Sequence, residues 1–127
     1  MLDINNAFSG FAVKDIEEAR SFYSETLGLE VEDGPMGLLN LHLTGSTNVL
    51  VYPKPDHEPA VFTILNFEVP DIDAAVTALT ERGVEFDRYD DFDQDERGVF
   101  RGSRNDQGPD IAWFRDPSGN VLSIIGV

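Results

Sequence analysis

Cysteine is absent from the 127 residues, which excludes disulfides, thiolate metal sites and cysteine nucleophiles together. Basic residues are scarce: 9 Lys and Arg stand against 24 Asp and Glu, a formal net charge of −15. A surface of that sign repels phosphate backbones and anionic lipid, so neither nucleic acid nor a membrane surface is expected as a partner. Solubility is the simplest use of such charge; attraction of a cationic ligand needs the carboxylates to line a pocket. No apolar run approaches the roughly 18 residues of a membrane span. The start, Met-Leu-Asp-Ile-Asn-Asn, lacks the basic and apolar stretches of a secretory signal, and a cytoplasmic protein is expected. Histidine occurs only at His42 and His57, too sparsely to argue a Ser-His-Asp arrangement. Gly98, Gly102 and Gly108 do not fit a phosphate-binding G-x-x-x-x-G-K-[ST] loop.

What is present is a repeated unit. Phe11 to Val31 reads as a strand end, an N-cap, an amphipathic helix, a glycine stop and a second strand. Asp15 suits the cap because its carboxylate accepts from the free amides of the first helical turn, and Glu18 stands at the capping-box position. Ala19, Phe22 and Tyr23 fall at helical spacing before Gly28. Phe67, Val69, Asp71 and Ile72 repeat Phe11, Val13, Asp15 and Ile16 at a constant offset of 56 positions. Ala75 answers Ala19, and Gly83-Val84-Glu85-Phe86 answers Gly28-Leu29-Glu30-Val31 one residue short of register. By length the chain is one domain, or two small halves sharing a core.

Taken in order, Ile4–Val13 predicts a first strand, Asp15–Thr26 a helix and Leu29–Glu32 a short strand closed by the turn Glu32-Asp33-Gly34-Pro35. Leu38–Leu43 and Asn48–Tyr52 form a hairpin around Thr44-Gly45-Ser46. Three prolines in Pro53–Pro59 mark a stiff crossing segment. Val61–Val69 is the next strand, Asp71 caps a helix with Ile72, Ala75, Val76 and Leu79 on its core side, and Val84–Phe86 is again short. Residues 87–109 make a long acidic loop with a short strand at Gly98–Arg101; loops of this length often serve as lids or binding loops. Ile111–Arg115 and Val121–Ile125 close the chain around Asp116-Pro117-Ser118-Gly119-Asn120.

The stretches F-A-V-K-D-I-E-E-A-R-S-F-Y-S-E-T-L-G-L-E-V, F-E-V-P-D-I-D-A-A-V-T-A-L-T-E-R-G-V and W-F-R-D-P-S-G-N-V-L-S-I resemble the vicinal oxygen chelate superfamily, the glyoxalase, bleomycin-resistance and dioxygenase group. The resemblance spans nearly the whole chain. It implies an α+β fold of two βαβββ modules, about 1–53 and 61–127 with a crossing segment at 53–60, whose curved mixed sheets form a cup with helices outside. It also implies a single domain and a homodimer. The family's metalloenzymes place ligands at positions that here hold Phe8, Ile64 and Ser123, with a further one in Asn48–Tyr52, which offers no carboxylate or imidazole. Those groups do not suit a divalent cation, so no metal or other cofactor is expected.

Strand alternation then makes Phe8, Phe62, Ile64, Asn66 and Glu68 cup-facing, with Phe11, Val13, Leu65, Phe67 and Val69 beneath the helices. Phe8, Phe62 and Ile64 serve equally well as core filling. Glu68 must reach solvent or meet a cation or donor, because a lone buried carboxylate is costly. His42 shares a strand face with Leu38 and Asn40, where a general base or a satisfied histidine both fit. Tyr52 and Trp113 are platforms for a flat ligand or ordinary packing surfaces. Asp90, Asp91, Asp93, Asp95 and Glu96 lack the glycine and terminal glutamate of an EF-hand loop, so they read as a solvated acidic loop. The expectation is metal-free binding of a small, partly aromatic or cationic molecule through Phe8, His42, Tyr52, Phe62, Ile64, Asn66, Glu68, Trp113 and Ser123. The alternatives are a metal-dependent glyoxalase, lyase or dioxygenase acting on a small metabolite, and an interaction subunit with a filled interior.

Overall fold

The computed structural model describes residues 1–104 and 106–127; Asn105, within the long 87–109 loop, lies outside them. The chain divides into two compact units, Met1–Glu58 and Pro59–Val127.

The first unit runs β1 (Gly10–Val13), α1 (Ile16–Ser21), β2 (Glu30–Asp33), β3 (Leu39–His42) and β4 (Val49–Pro53), with sheet order β1-β4-β3-β2. β1 lies parallel to β4 and the other pairs are antiparallel. Asp15 caps α1 as its sequence position demands, accepting from the amides of Glu17 at 2.9 Å and Glu18 at 3.3 Å. The expected single helix is instead α1 followed by a π-helical turn over Phe22–Thr26, closed by the Leu27 amide on the Phe22 carbonyl at 2.9 Å. The wider turn inserts a residue into the helical phase. Phe22 and Tyr23 meet edge to face at 5.2 Å, and the fully buried Tyr23 ring also lies 5.8 Å from Phe11. Val13, Leu39, Leu41 and Val51 complete this buried face. Gly28 ends the segment at φ 71°, a conformation that costs glycine little.

β1 is shorter than expected. Its register pairs Gly10 with Leu50 in parallel, so a strand beginning at Ile4 would need partners in the turn before β4. The segment before Gly10 is exposed coil.

The second unit repeats the plan: β5 (Thr63–Val69), α2 (Ile72–Glu81), β6 (Phe100–Arg101), β7 (Asp110–Arg115) and β8 (Val121–Gly126), in the order β5-β8-β7-β6. Asp71 caps α2 through the Ala74 amide at 3.1 Å. Ile72 packs against Gly126, where an added Cβ would lie 3.5 Å away, and Val76 is buried beside it in the same helix. Phe114, Leu122 and Ile124 lie on the buried side of the sheet. The expected strand at Val84–Phe86 contracts to one bridge, Phe86 to Phe114. The first strand again starts late, at Thr63, because Thr63 pairs with Val121 and earlier residues would face the Asp116–Asn120 turn. A bulge between Thr63 and Leu65 breaks the alternation there.

That turn is held internally. Asp116 accepts from the Ser118 and Asn120 amides and from the Asn120 side chain, each at 2.9 Å, and both Asp116 and Asn120 are buried. The far end of the long loop is fastened by Arg101. Its guanidinium reaches Asp73 of α2 at 2.6 Å, Asp95 of the loop at 3.1 Å and Asp110 of β7 at 3.4 Å. Arg101 holds the Asp73 carboxyl below its ordinary value. Burial works to raise Asp95, but the Val99 and Arg97 amides and then Arg101 outweigh it and hold that carboxyl down. Asp110 is lowered first by the Ser103 hydroxyl, which donates to it at 2.6 Å, and then by Arg101.

Candidate functional site

In each unit the helix covers one sheet face; the opposite face is partly exposed in the first unit and partly covered by the long loop in the second. In the first unit, alternation puts Asn40, His42, Leu50 and Tyr52 opposite the buried Leu39, Leu41, Val49 and Val51. A concavity of about 560 Å³ lies there, with Phe8, Pro35, Leu38 and Leu50 as its apolar lining and Asn6, Asn40, Ser46, Thr47 and Asn48 as its uncharged polar lining. Phe8 contributes from coil, 62% exposed, not from a strand. His42 is tied on both ring nitrogens, to Asn48 through Nδ1 and to Glu32 through Nε2, each at 2.9 Å. An ionised Glu32 only accepts, so Nε2 carries a proton, whereas the Asn48 amide can accept from or donate to Nδ1. His42 is therefore a satisfied strand histidine that braces Asn48 at the edge of the concavity. Tyr52 lies exposed near the end of β4.

In the second unit the face away from the helix carries Asn66, Glu68, Trp113, Val121 and Ser123, since Asn66 and Trp113 both pair with Ser123. Ser123 is fully buried and its hydroxyl donates to the Asn66 side-chain oxygen at 2.5 Å, which accounts for a polar group in that position. Glu68 is exposed and so avoids the cost of burial. Ile64 sits in the bulge, and Thr63 takes the place opposite Val121 that alternation assigned to its neighbour; Phe62 precedes the strand and is exposed.

Trp113 is only 8% exposed because the long loop covers it. Phe92 stacks on the indole with centroids 5.0 Å apart and planes inclined by 29°, and Tyr89 meets it edge-on at 5.3 Å. Phe92 also lies 5.2 Å from Phe100. Phe100, Trp113 and Val121 form a small apolar cluster against which Tyr89 and Ile111 pack. Beside it is an open concavity of about 690 Å³ lined by Asp91, Phe92, Asp93, Phe100 and Gln107. Gln94 fastens the loop to itself: its side chain accepts from the Tyr89 amide at 2.7 Å and donates to the carbonyls of Asp87 at 2.9 Å and Gly98 at 2.6 Å.

Tyr89, Phe92 and Phe100 are the residues that sequence reasoning missed; Asp91 and Asp93 were read there as part of a solvated acidic loop. The available signal was two aromatics, Tyr89 and Phe92, inside an otherwise acidic run, where solvation alone gives no reason for large rings. The acidic loop is thus folded onto the sheet through its rings while its carboxylates stay near water.

The residues at the family's metal-ligand positions do not form a donor set. Phe8 and Ile64 bring no lone pair, and Ser123 is spent on Asn66. Among the described residues no three His, Asp or Glu side chains converge so as to hold a metal ion.

Two α+β units of the order βαβββ, each with a helix on one sheet face, define a protein of the paired βαβββ class. The family model described as Glyoxalase/Bleomycin resistance protein/Dioxygenase superfamily matches residues 6–124, and the chain belongs to that superfamily. Among solved structures, TnmS3, an antibiotic binding protein from Streptomyces sp. CB03234, aligns with TM-score 0.66 and 26% identity over 99% of this chain and 98% of its own. A glyoxalase/bleomycin resistance protein from the same organism aligns with TM-score 0.63 and 28% identity over 95% and 99%. An integron cassette protein, HFX_CASS4, from the mobile metagenome of Halifax Harbour sewage outfall gives TM-score 0.70 at 21% identity over 98% and 100%. None of the curated proteins matches. Among the described residues no helix is long and apolar enough to cross a membrane.

Proposed function

We propose that this protein binds a small, partly aromatic or cationic molecule without a resident metal, and sequesters it without breaking a bond. The observation that carries the reading is the concavity beside Trp113, where Phe92 and Phe100 supply aromatic surface and Asp91 and Asp93 supply negative charge. Aromatic rings bury a flat ligand at low entropic cost, and a nearby carboxylate offsets the desolvation of a cation. The similarity to an antibiotic binding protein supports a small-molecule ligand. Glu68, in the same unit, is a further candidate contact; Phe8 lines the separate concavity of the first unit. A homodimer belongs to the same proposal and is read by light scattering.

The test has two parts. Purified protein is incubated with zinc, nickel, manganese and iron(II), desalted and assayed for metal by mass spectrometry. It is then screened by thermal shift against planar cations, neutral aromatics and aliphatic cations. Stabilisation by planar cations with no stoichiometric metal is the expected result. One metal per chain surviving desalting, with no stabilisation by any organic compound, overturns the reading in favour of a metalloenzyme.

A further inference from the structure

Phe92 holds a position unlike that of an ordinary lining residue. Its outer side faces the concavity, yet its inner face is stacked on Trp113 in the offset geometry a flat ligand would adopt. Phe92 is still 42% exposed, whereas Trp113 beneath it is 8% exposed. The loop that carries Phe92 makes no strand pair between Tyr89 and Asp93. Its attachments lie on either side. Arg115 pairs with Asp87 at 2.8 Å, Gln94 ties Tyr89, Asp87 and Gly98, and Arg101 holds Asp95. The tip is therefore held down by ring contacts between two firm anchors.

We propose that Phe92 is an internal stand-in for the ligand's ring: a planar cation displaces it and takes over the face of Trp113, flanked by Asp91 and Asp93. The proposal rests on the binding function above and specifies both the ligand class and the step that admits it. The Phe92 ring can leave by rotation about its own side-chain bonds, so its neighbours Asp91 and Asp93 keep their places at the concavity. A flat ring bearing a positive charge satisfies the exposed indole and those carboxylates together; a neutral ring satisfies only the first. The ring already in place sets a threshold that weakly stacking molecules do not cross.

The experiment is titration of the intact chain and of Phe92→Ala with 9-aminoacridine, a planar cation, and with neutral anthracene-sized rings. Trp113, the only tryptophan, reports through quenching, and calorimetry gives affinity. Removing the stand-in is expected to tighten the cation by about two- to tenfold, the factor that one aromatic pair is worth. Phe92→Ala is also expected to raise the accessibility of Trp113 to acrylamide before any ligand is added. Asp91→Asn with Asp93→Asn is expected to weaken the cation severalfold and leave the neutral ring unchanged. Equal or weaker cation binding by Phe92→Ala overturns the stand-in while leaving the binding function standing, because Phe92 would then be a wall of the site. Absence of binding to either protein overturns both. Circular dichroism of each variant separates these outcomes from misfolding.

Discussion

Replacing Arg101 with Met keeps much of the apolar stem and removes the guanidinium that joins α2, the long loop and β7. The bonds lost run to Asp73 at 2.6 and 3.3 Å, to Asp95 at 3.1 and 3.2 Å and to Asp110 at 3.4 Å. Breaking a fully buried pair costs about 3–5 kcal/mol, and an exposed pair contributes about 0.2–1 kcal/mol. The site lies between these limits: side-chain exposure is 15% for Arg101, 19% for Asp110, 29% for Asp95 and 53% for Asp73. Discounting for that solvent, the expected loss is about 2–3 kcal/mol, or about 8–12 °C in melting temperature for a chain of this size. Urea denaturation followed by Trp113 fluorescence measures it in the affected unit. The sign with pH is fixed by the depressed carboxyls. Their folded values lie below the unfolded 3.8, so the stability they supply is full above that value and is lost as pH falls through the folded values. In Arg101→Met the Asp73 part of that dependence disappears while the parts that backbone amides and Ser103 supply to Asp95 and Asp110 remain, and the gap between the two proteins narrows below pH 3.8. A loss under about 0.5 kcal/mol at neutral pH, in the range of an exposed pair, refutes the reasoning. So does a gap that stays constant with acidification.

Asp116→Ala removes an acceptor from the Ser118 and Asn120 amides and from the buried Asn120 side chain. A loss of about 2–3 kcal/mol is expected by chemical denaturation, with Asp116→Asn recovering part of it. Gly102→Ala would place a Cβ 2.5 Å from the Pro109 carbonyl oxygen and 2.8 Å from that of Gly108. Neither neighbour is a flexible side-chain end, so the backbone must shift; a loss of about 1–3 kcal/mol and faster amide exchange in β6 and β7 are expected.

Local features were legible in the sequence because their causes are local. Asp15 and Asp71 cap helices, Gly28 ends a helical segment and Asp116 to Asn120 forms a turn, each through contacts within a few residues. The duplication was legible for the same reason. Strand limits were not, since β1 and β5 start only where their parallel partners, 40 and 58 positions along the chain, have emerged from turns. The bulge at Ile64 likewise depends on β8. At the candidate site, Trp113 was visible as a platform, but its covering by Tyr89 and Phe92 is a contact across the loop. In a run dominated by aspartate, charge argued for solvent and the rings decided for packing.

Gln94 closes the loop through the backbone groups of Asp87, Tyr89 and Gly98, so this closure uses none of the side chains from 88 to 93. The residues between 88 and 93 can then be exchanged as a set while β6, β7 and the Arg101 anchorage keep their register. Such a loop is an interchangeable head on a fixed handle. A small library over those few positions that keeps the rings at 89 and 92, screened for dye capture, would test how far the proposed binding follows the loop.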